Sequence, residues 1–328
     1  MRRLLILLVV GLFAGCGDDD GKTEVWIYSS IYPQVIERLE PKLDAAFPDV
    51  RFRWFQKGSE QIAARLNAEF ASGDVNCDLL MTSDPFYYAQ LAERGLLLPY
   101  ESPQAASVPV GMRANDHAFT TVRVPVMVIA VNHERFKGAL PASFRDLVDR
   151  RFDGKLSMGD PLKSGTNFTT VAALSRKYGW DYFQGLRKND IIAAGGNSAV
   201  LHRLETGERP VGIVLLENLL PRLAKGAPIT VVYPTDGAVP VPSPIAILKS
   251  SPHPELARRV YDLFFSTEVQ ASIVSGHMYS PLPEAAPPVG ARAWKDVPLY
   301  PWNAEFVETV RKDRDAIKRR FREIMKGG

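Results

Sequence analysis

Six short stretches of this chain carry side chains suited to holding a small anion. They are Ser29-Ser30, Gly58-Ser59, Thr82-Ser83-Asp84, Asp160 with Ser164-Gly165-Thr166, Asn197-Ser198, and Glu217-Asn218. All but the last supply hydroxyls, short donors that can turn toward an oxyanion. Glycine among them lets a backbone approach closely. Most precede a helical pattern, and a helix start presents N–H groups without partners together with a partial positive charge. Ser164-Gly165-Thr166 is the strongest candidate. Taken alone it is also what an ordinary helix cap looks like, because Ser, Thr and Asp begin helices without any ligand. Six such loops in matching places ask for more than capping.

Catalytic readings find no support in the same residues. A phosphate-binding P-loop counted from Gly159 needs glycine at 164 and lysine at 165, where the chain has Ser164 and Gly165. Gly196-Asn197-Ser198-Ala199 runs into Val200, so it is no nucleophile elbow. The histidines are scattered, and Cys77 sits in an apolar run over 77–81 that reads as a small buried side chain. No catalytic residue, metal site or cofactor is expected.

The elements that must position these loops alternate. A β-rich run over 24–28 is followed by helical apolar spacing over 31–47, a strand over 50–55 and a helix over 60–71. A third strand over 78–81 leads to a helix from about 86 to 94. The middle of the chain repeats the grammar, with strands over 124–131, 211–215 and 229–233 and a helix running from the 164–166 loop to 178. Helices over 254–265, 269–275 and 304–326 close the chain; the last is amphipathic, with Phe306, Val310, Ile317, Phe321 and Met325 to one side. Repeated β-loop-α units imply an α/β fold of mostly parallel sheets with helices packed on them, and ligands in such folds lie at the carboxyl ends of strands.

The N-terminus carries an address. Arg2 and Arg3 precede an apolar run over 4–13, then Ala14-Gly15-Cys16 and a polar stretch. The run is too short to span a bilayer and reads as a signal segment over 1–15, with Cys16 as the lipidated residue and 16–22 as a linker. Without 1–15 the 40 basic side chains lose two, leaving 38 against 37 acidic ones. That balance offers no footprint for nucleic acid. The basic face of the last helix is interleaved with acids and reads as a solvated surface.

Several stretches together resemble a known family. Val25-Trp26-Ile27-Tyr28-Ser29-Ser30, Asp78-Leu79-Leu80-Met81-Thr82-Ser83-Asp84, Gly95-Leu96-Leu97-Leu98-Pro99-Tyr100, Asp160-Pro161 through Ser164-Gly165-Thr166, and Val211-Gly212-Ile213-Val214 are similar in order to the bacterial extracellular solute-binding proteins of ABC importers. The nearest branch is the one that takes ferric ion, sugar phosphates or aminoethylphosphonate. The resemblance implies a type II periplasmic-binding-protein fold. Lobe I would hold 23–125 plus 244–328 and lobe II 126–243, joined by two crossover strands near 123–125 and 240–244. It further implies a monomer that closes on a small anionic solute, handed to an ABC permease from a lipid anchor at Cys16. Ferric members of the family use two consecutive tyrosines in the second lobe, and the corresponding stretch here is Leu216-Glu217-Asn218-Leu219-Leu220. A ferric ion therefore stands as the alternative ligand, and a receptor-coupled sensor as the alternative role. Ser29, Ser30, Ser59, Ser83 and Asp84 would face Asp160, Ser164, Gly165, Thr166, Asn197, Ser198, Glu217 and Asn218 across the cleft.

Overall fold

The computed structural model describes residues 21–326, so the signal segment and Cys16 lie outside the described residues. The first unit builds β1 (Thr23–Ser29), α1 (Pro33–Ala46), β2 (Val50–Gln56), α2 (Ser59–Ser72), β3 (Leu79–Met81), α3 (Pro85–Glu93), β4 (Leu97–Leu98) and β5 (Thr120–Arg123). In α1 the buried Val35, Ile36, Leu39 and Leu43 follow helical spacing, and Pro33 sits in the first turn, where its missing N–H costs nothing. β1 pairs in parallel with β2 and with β3, which places Ser29 beside Gln56 on one side and Met81 on the other. Parallel pairing therefore brings three loop starts, Ser30, Lys57 and Thr82, to one edge.

The second unit runs β6 (Val126–Asn132), β7 (Leu156–Met158), α4 (Gly165–Tyr178), α5 (Trp180–Lys188), β8 (Ile192–Ala193), α6 (Asn197–Thr206), β9 (Val211–Leu215), α7 (Leu216–Leu223), β10 (Ile229–Val232) and β11 (Val239–Pro240). Here β7 lies parallel to β8 and β9. The chain then returns to the first sheet as β12 (Ser243–Leu248), followed by α8 (Pro254–Leu263), α9 (Thr267–Ser275) and α10 (Ala304–Lys326). Strand order is β2-β1-β3-β12-β4 in one sheet, with β5 on β12, and β10-β6-β9-β7-β8 in the other, with β11 on β6.

Each sheet is mixed. The βαβ units are parallel, as the alternation implies, but the strands that arrive from the other sheet, β12 and β6, pair antiparallel with all their neighbours. A returning strand enters from the opposite end, a reversal that local periodicity does not record. The chain passes between sheets twice, between Arg123 and Val126 and between Pro240 and Ser243. Pro125 and Pro242 occupy these passages, where a missing N–H is tolerated.

Grouping all of 244–328 with the first sheet does not describe α10. Its stripe of Phe306, Val310, Ile317 and Phe321 shares a core with Phe168 of α4 and Phe183 and Leu186 of α5. The rings of Phe183 and Phe321 stand 5.5 Å apart, edge to face. The periodicity shows that α10 has an apolar face but not which neighbour covers it. Cys77 is buried, its thiol donating to the Leu79 carbonyl at 3.3 Å, and burial pushes its pKa up. Among the described residues no helix is long and apolar enough to cross a membrane.

Candidate ligand-binding cleft

Between the sheets lies a cavity of about 170 Å³, room for about six water molecules at about 30 Å³ each, the scale of a small metabolite. Four helices begin at its wall: α2 at Gly58-Ser59, α4 at Ser164, α6 at Gly196-Asn197, and α7 at Leu215. Three of the four, α4, α6 and α7, have no side chain capping their N-terminus, while in α2 the Gln61 side chain accepts from the Gly58 N–H at 3.3 Å. Away from the cavity, α3 and α9 are capped by Asp84 and Ser266, whereas α5 and α8 have no side-chain cap. What sets the cavity apart is that the starts converge there, and those of α4, α6 and α7 leave N–H groups available to its occupant.

Arg123 lies at the floor. It is 1% exposed, yet its donors reach only Ser83 Oγ at 2.9 Å, Ser30 Oγ at 3.3 Å and the Met278 thioether at 3.4 Å. Its Nε has no partner, and among the described residues no carboxylate forms an ion pair with it. Burial lowers its pKa, with the nearby Glu217 pulling the other way. A guanidinium keeps its proton regardless, so a buried positive charge stands here without a counter-charge in contact.

Glu217, in the first turn of α7, is the cavity's acid. It is buried, its Oε2 has no partner, and burial pushes its carboxyl up to about 7 against the opposing pull of Arg123. Lys57 and Lys163 add positive charge from opposite lobes, beside Gln56 and Tyr32.

Of the residues singled out from sequence, Ser30, Ser59, Ser83, Ser164, Thr166, Asn197, Ser198 and Glu217 line the cavity. On the lobe II wall, Asn197 donates to Thr166 Oγ1 at 2.9 Å, and Ser164 and Thr166 hydroxyls lie 3.0 Å apart. The other five sit elsewhere. Ser29 donates to the Met81 carbonyl inside the first sheet and accepts from the Ile31 N–H. Asp84 caps α3 and pairs with Arg314 at 2.5 Å. Asp160 accepts from the Leu162 N–H within its own turn. Gly165 faces the opposite lobe, and Asn218 lies at the cleft's edge. Ser, Asp and Asn serve turns and caps as readily as ligands, which is why spacing could not sort them.

The lobes touch around the cavity. A Cβ built on Gly165 would stand 2.4 Å from the Ser83 carbonyl oxygen, and one on Gly58 would stand 3.1 Å from that of Lys163. Tyr32, which closes α1's entry on lobe I, donates to Asn218 Oδ1 on α7 at 3.1 Å. Tyr32→Phe deletes this cross-lobe bond, and we expect it to weaken ligand binding about fivefold, near the worth of one neutral hydrogen bond. Titration calorimetry against the wild type checks this; an unchanged affinity would show that the bond is incidental to binding.

The family model of the bacterial extracellular solute-binding proteins matches residues 74–309. The chain belongs to that family. Its members are non-catalytic transport components that act outside the cytoplasm and deliver solutes to ABC permeases. The phosphoglycerate transport regulatory protein of Salmonella typhimurium is 26% identical over 218 residues, 64% of this chain; the match spans about half of that relative, 53% of its length. Two solved structures share the fold. The periplasmic binding protein AfuA of Actinobacillus pleuropneumoniae, with fructose 6-phosphate bound, has a TM-score of 0.82 at 22% identity, covering 94% of this chain and 100% of that one. Iron-bound HitA of Pseudomonas aeruginosa has a TM-score of 0.79 at 19% identity, covering 91% and 99%. Both sit on the type II periplasmic-binding-protein fold, as does this chain.

Proposed function

We propose that this protein is the substrate-binding component of an ABC importer. It would capture a small phosphorylated or phosphonate compound by closing two lobes over it, and present the closed form to a permease as a monomer anchored through Cys16. The observation that carries the anion is Arg123, a buried guanidinium without an ion-pair partner at a point where four helix starts converge, three of them without a side-chain cap. Charge-assisted hydrogen bonds to a phosphoryl group would satisfy all of these donors at once. A ferric ion is the weaker reading. The consecutive Tyr87 and Tyr88 are engaged within lobe I, Tyr87 on the Ala63 carbonyl and Asn67, and Tyr88 on the Pro244 carbonyl. A trivalent cation would also meet Arg123, Lys57 and Lys163 as like charges.

Calorimetric titration with fructose 6-phosphate, phosphoglycerate, 2-aminoethylphosphonate and ferric citrate tests the reading. Binding by at least one phosphorylated or phosphonate compound is expected; uptake of the ferric species alone would sink it.

Glu217 gives this binding a pH dependence. Free, its carboxyl ionises at about 7. A phosphoryl anion in the same cavity disfavours that ionisation, so binding takes up a proton and weakens as pH rises through 7. Phosphate esters themselves gain charge near pH 6, and the Glu217→Gln variant removes that confounder. The wild-type to Glu217→Gln affinity ratio for fructose 6-phosphate is expected to fall about fivefold between pH 6 and pH 8. A ratio flat across that window would show that the bound anion does not feel Glu217.

A further inference from the structure

α10 meets the rest of the molecule with two unlike faces. Its apolar stripe packs into α4 and α5 of lobe II through Phe306, Val310, Ile317 and Phe321, with Phe306 also meeting Phe86 of α3 in lobe I. Its charged face reaches lobe I. Arg314 donates to Glu60 Oε1 at 2.8 Å and to Asp84 Oδ2 at 2.5 Å, and Lys318 donates to Glu60 Oε2 at 2.6 Å. The two cations and two acids balance in charge, and none of the four side chains is more than 13% exposed. Each acid directly follows a cavity hydroxyl, Glu60 after Ser59 and Asp84 after Ser83.

These two contacts differ in how they respond to separation. Parting α10 from α4 and α5 would expose Phe168, Phe183 and Leu186 at about 25 cal/mol per Å², whereas parting it from lobe I uncovers mainly Phe86, so α10 travels with lobe II. Parting the ion pairs returns four charges to water, and that hydration offsets most of the lost attraction. A contact so nearly balanced can open and close reversibly. Phe86 of α3, between Phe168 and Phe306, is the apolar part of the same seam.

We propose that Arg314 and Lys318 form a latch, carried on lobe II by α10, that grips Glu60 and Asp84 of lobe I only when the cleft is shut. They are positioning residues: they touch no ligand, but hold the Ser59 and Ser83 loops against the cavity and neutralise two acids that would otherwise repel an anion. Affinity then depends on the latch through the closed population. This rests on the reading that the lobes close over ligand.

The test measures closure apart from ligand identity. Paired spin labels on exposed positions of α1 and α5 report the interlobe distance, with and without the members of the panel above. In the Arg314→Gln/Lys318→Gln variant the ligand-free distribution is expected to shift to longer distances. Dissociation of the bound phosphorylated compound should be about tenfold faster, with association within about twofold of wild type. Lys318→Gln alone keeps Arg314 on both acids and guards against a variant that fails to fold; it should show the same changes at about threefold. Arg314→Lys, which keeps the charge, should recover most of the slow dissociation, which a purely packing role would not. Distances and dissociation unchanged in the variants, while wild type shortens on binding, would overturn the latch alone. A wild-type distance that no compound of the panel shortens would overturn closure, and the latch with it.

Discussion

Arg123→Met is expected to weaken binding of the phosphorylated ligand by at least about a hundredfold, while the ligand-free protein melts at the same temperature or higher. The loss follows from two charge-assisted hydrogen bonds at about 1.5 to 3 kcal/mol each, where about 1.4 kcal/mol is a factor of ten. The stability follows from the other half of the ledger. Arg123 is buried with only hydroxyl and thioether partners, and its Nε has none. Its desolvation is thus poorly offset in the empty protein. Methionine fills a similar, unbranched volume without that charge. The partners left behind can serve each other, because the Ser30 and Ser83 hydroxyls already lie 3.4 Å apart. Glu217 loses the charge that restrains its pKa, and its carboxyl shifts further toward the neutral form that burial favours.

Calorimetric titration and scanning calorimetry on the same preparation separate the two halves. A variant that binds normally would remove Arg123 from the anion site. A variant that loses several degrees of melting temperature would make it a structural residue. Function held at the expense of stability is what a binding site looks like when its ligand is away.

How much of this was legible in the sequence varies with the range of the interaction. The βαβ units and the limits of α4 and α10 follow from local periodicity, and the parallel register of β1 with β2 and β3 brings three of the predicted loops to one edge. The hydroxyl loops were readable because helix starts concentrate Ser, Thr and Gly. What local pattern could not do was separate a hydroxyl facing the cavity from one facing its own turn. Ser29 and Ser30 are neighbours, yet one is tied to the Met81 carbonyl and the other lines the cleft. Arg123 was missed as a site residue despite its signal, a single guanidinium between Val122 and Val124 in a run that becomes a wholly buried strand. Lys57 and Lys163 each adjoin a predicted loop, but a lysine beside a turn is ordinarily a solvated one, so its type alone gives no signal. The placement of α10 depends on contacts well separated in sequence, such as Phe321 with Phe183 of α5, which no window on the chain contains.

Gly165→Ala is expected to leave the fold intact and stop the cleft from shutting, with affinity for the phosphorylated ligand reduced about a hundredfold. The added methyl would stand 2.4 Å from the Ser83 carbonyl oxygen, 2.9 Å from the Asp84 Cβ and 3.0 Å from the Ser83 carbonyl carbon. Two of these atoms are backbone of the opposite lobe, so no side chain can swing away and the lobes must part. Within lobe II the change is mild. Gly165 opens α4 without a positive φ, and alanine is the better helix former, so ligand-free stability should hold or rise slightly. Glycine here serves the approach of one lobe to the other rather than of backbone to ligand. Gly58→Ala is the graded control: its methyl meets the Lys163 carbonyl oxygen at 3.1 Å, close enough to need a shift of a few tenths of an ångström. It should weaken binding by less than about tenfold. Scattering profiles with and without ligand would show the Gly165→Ala protein remaining open while wild type contracts. Should Gly165→Ala contract and bind like wild type, the contact between Ser83 and α4 would not belong to the ligand-bound state, and the specificity of the cleft would have to be sought in a more open arrangement of the same residues.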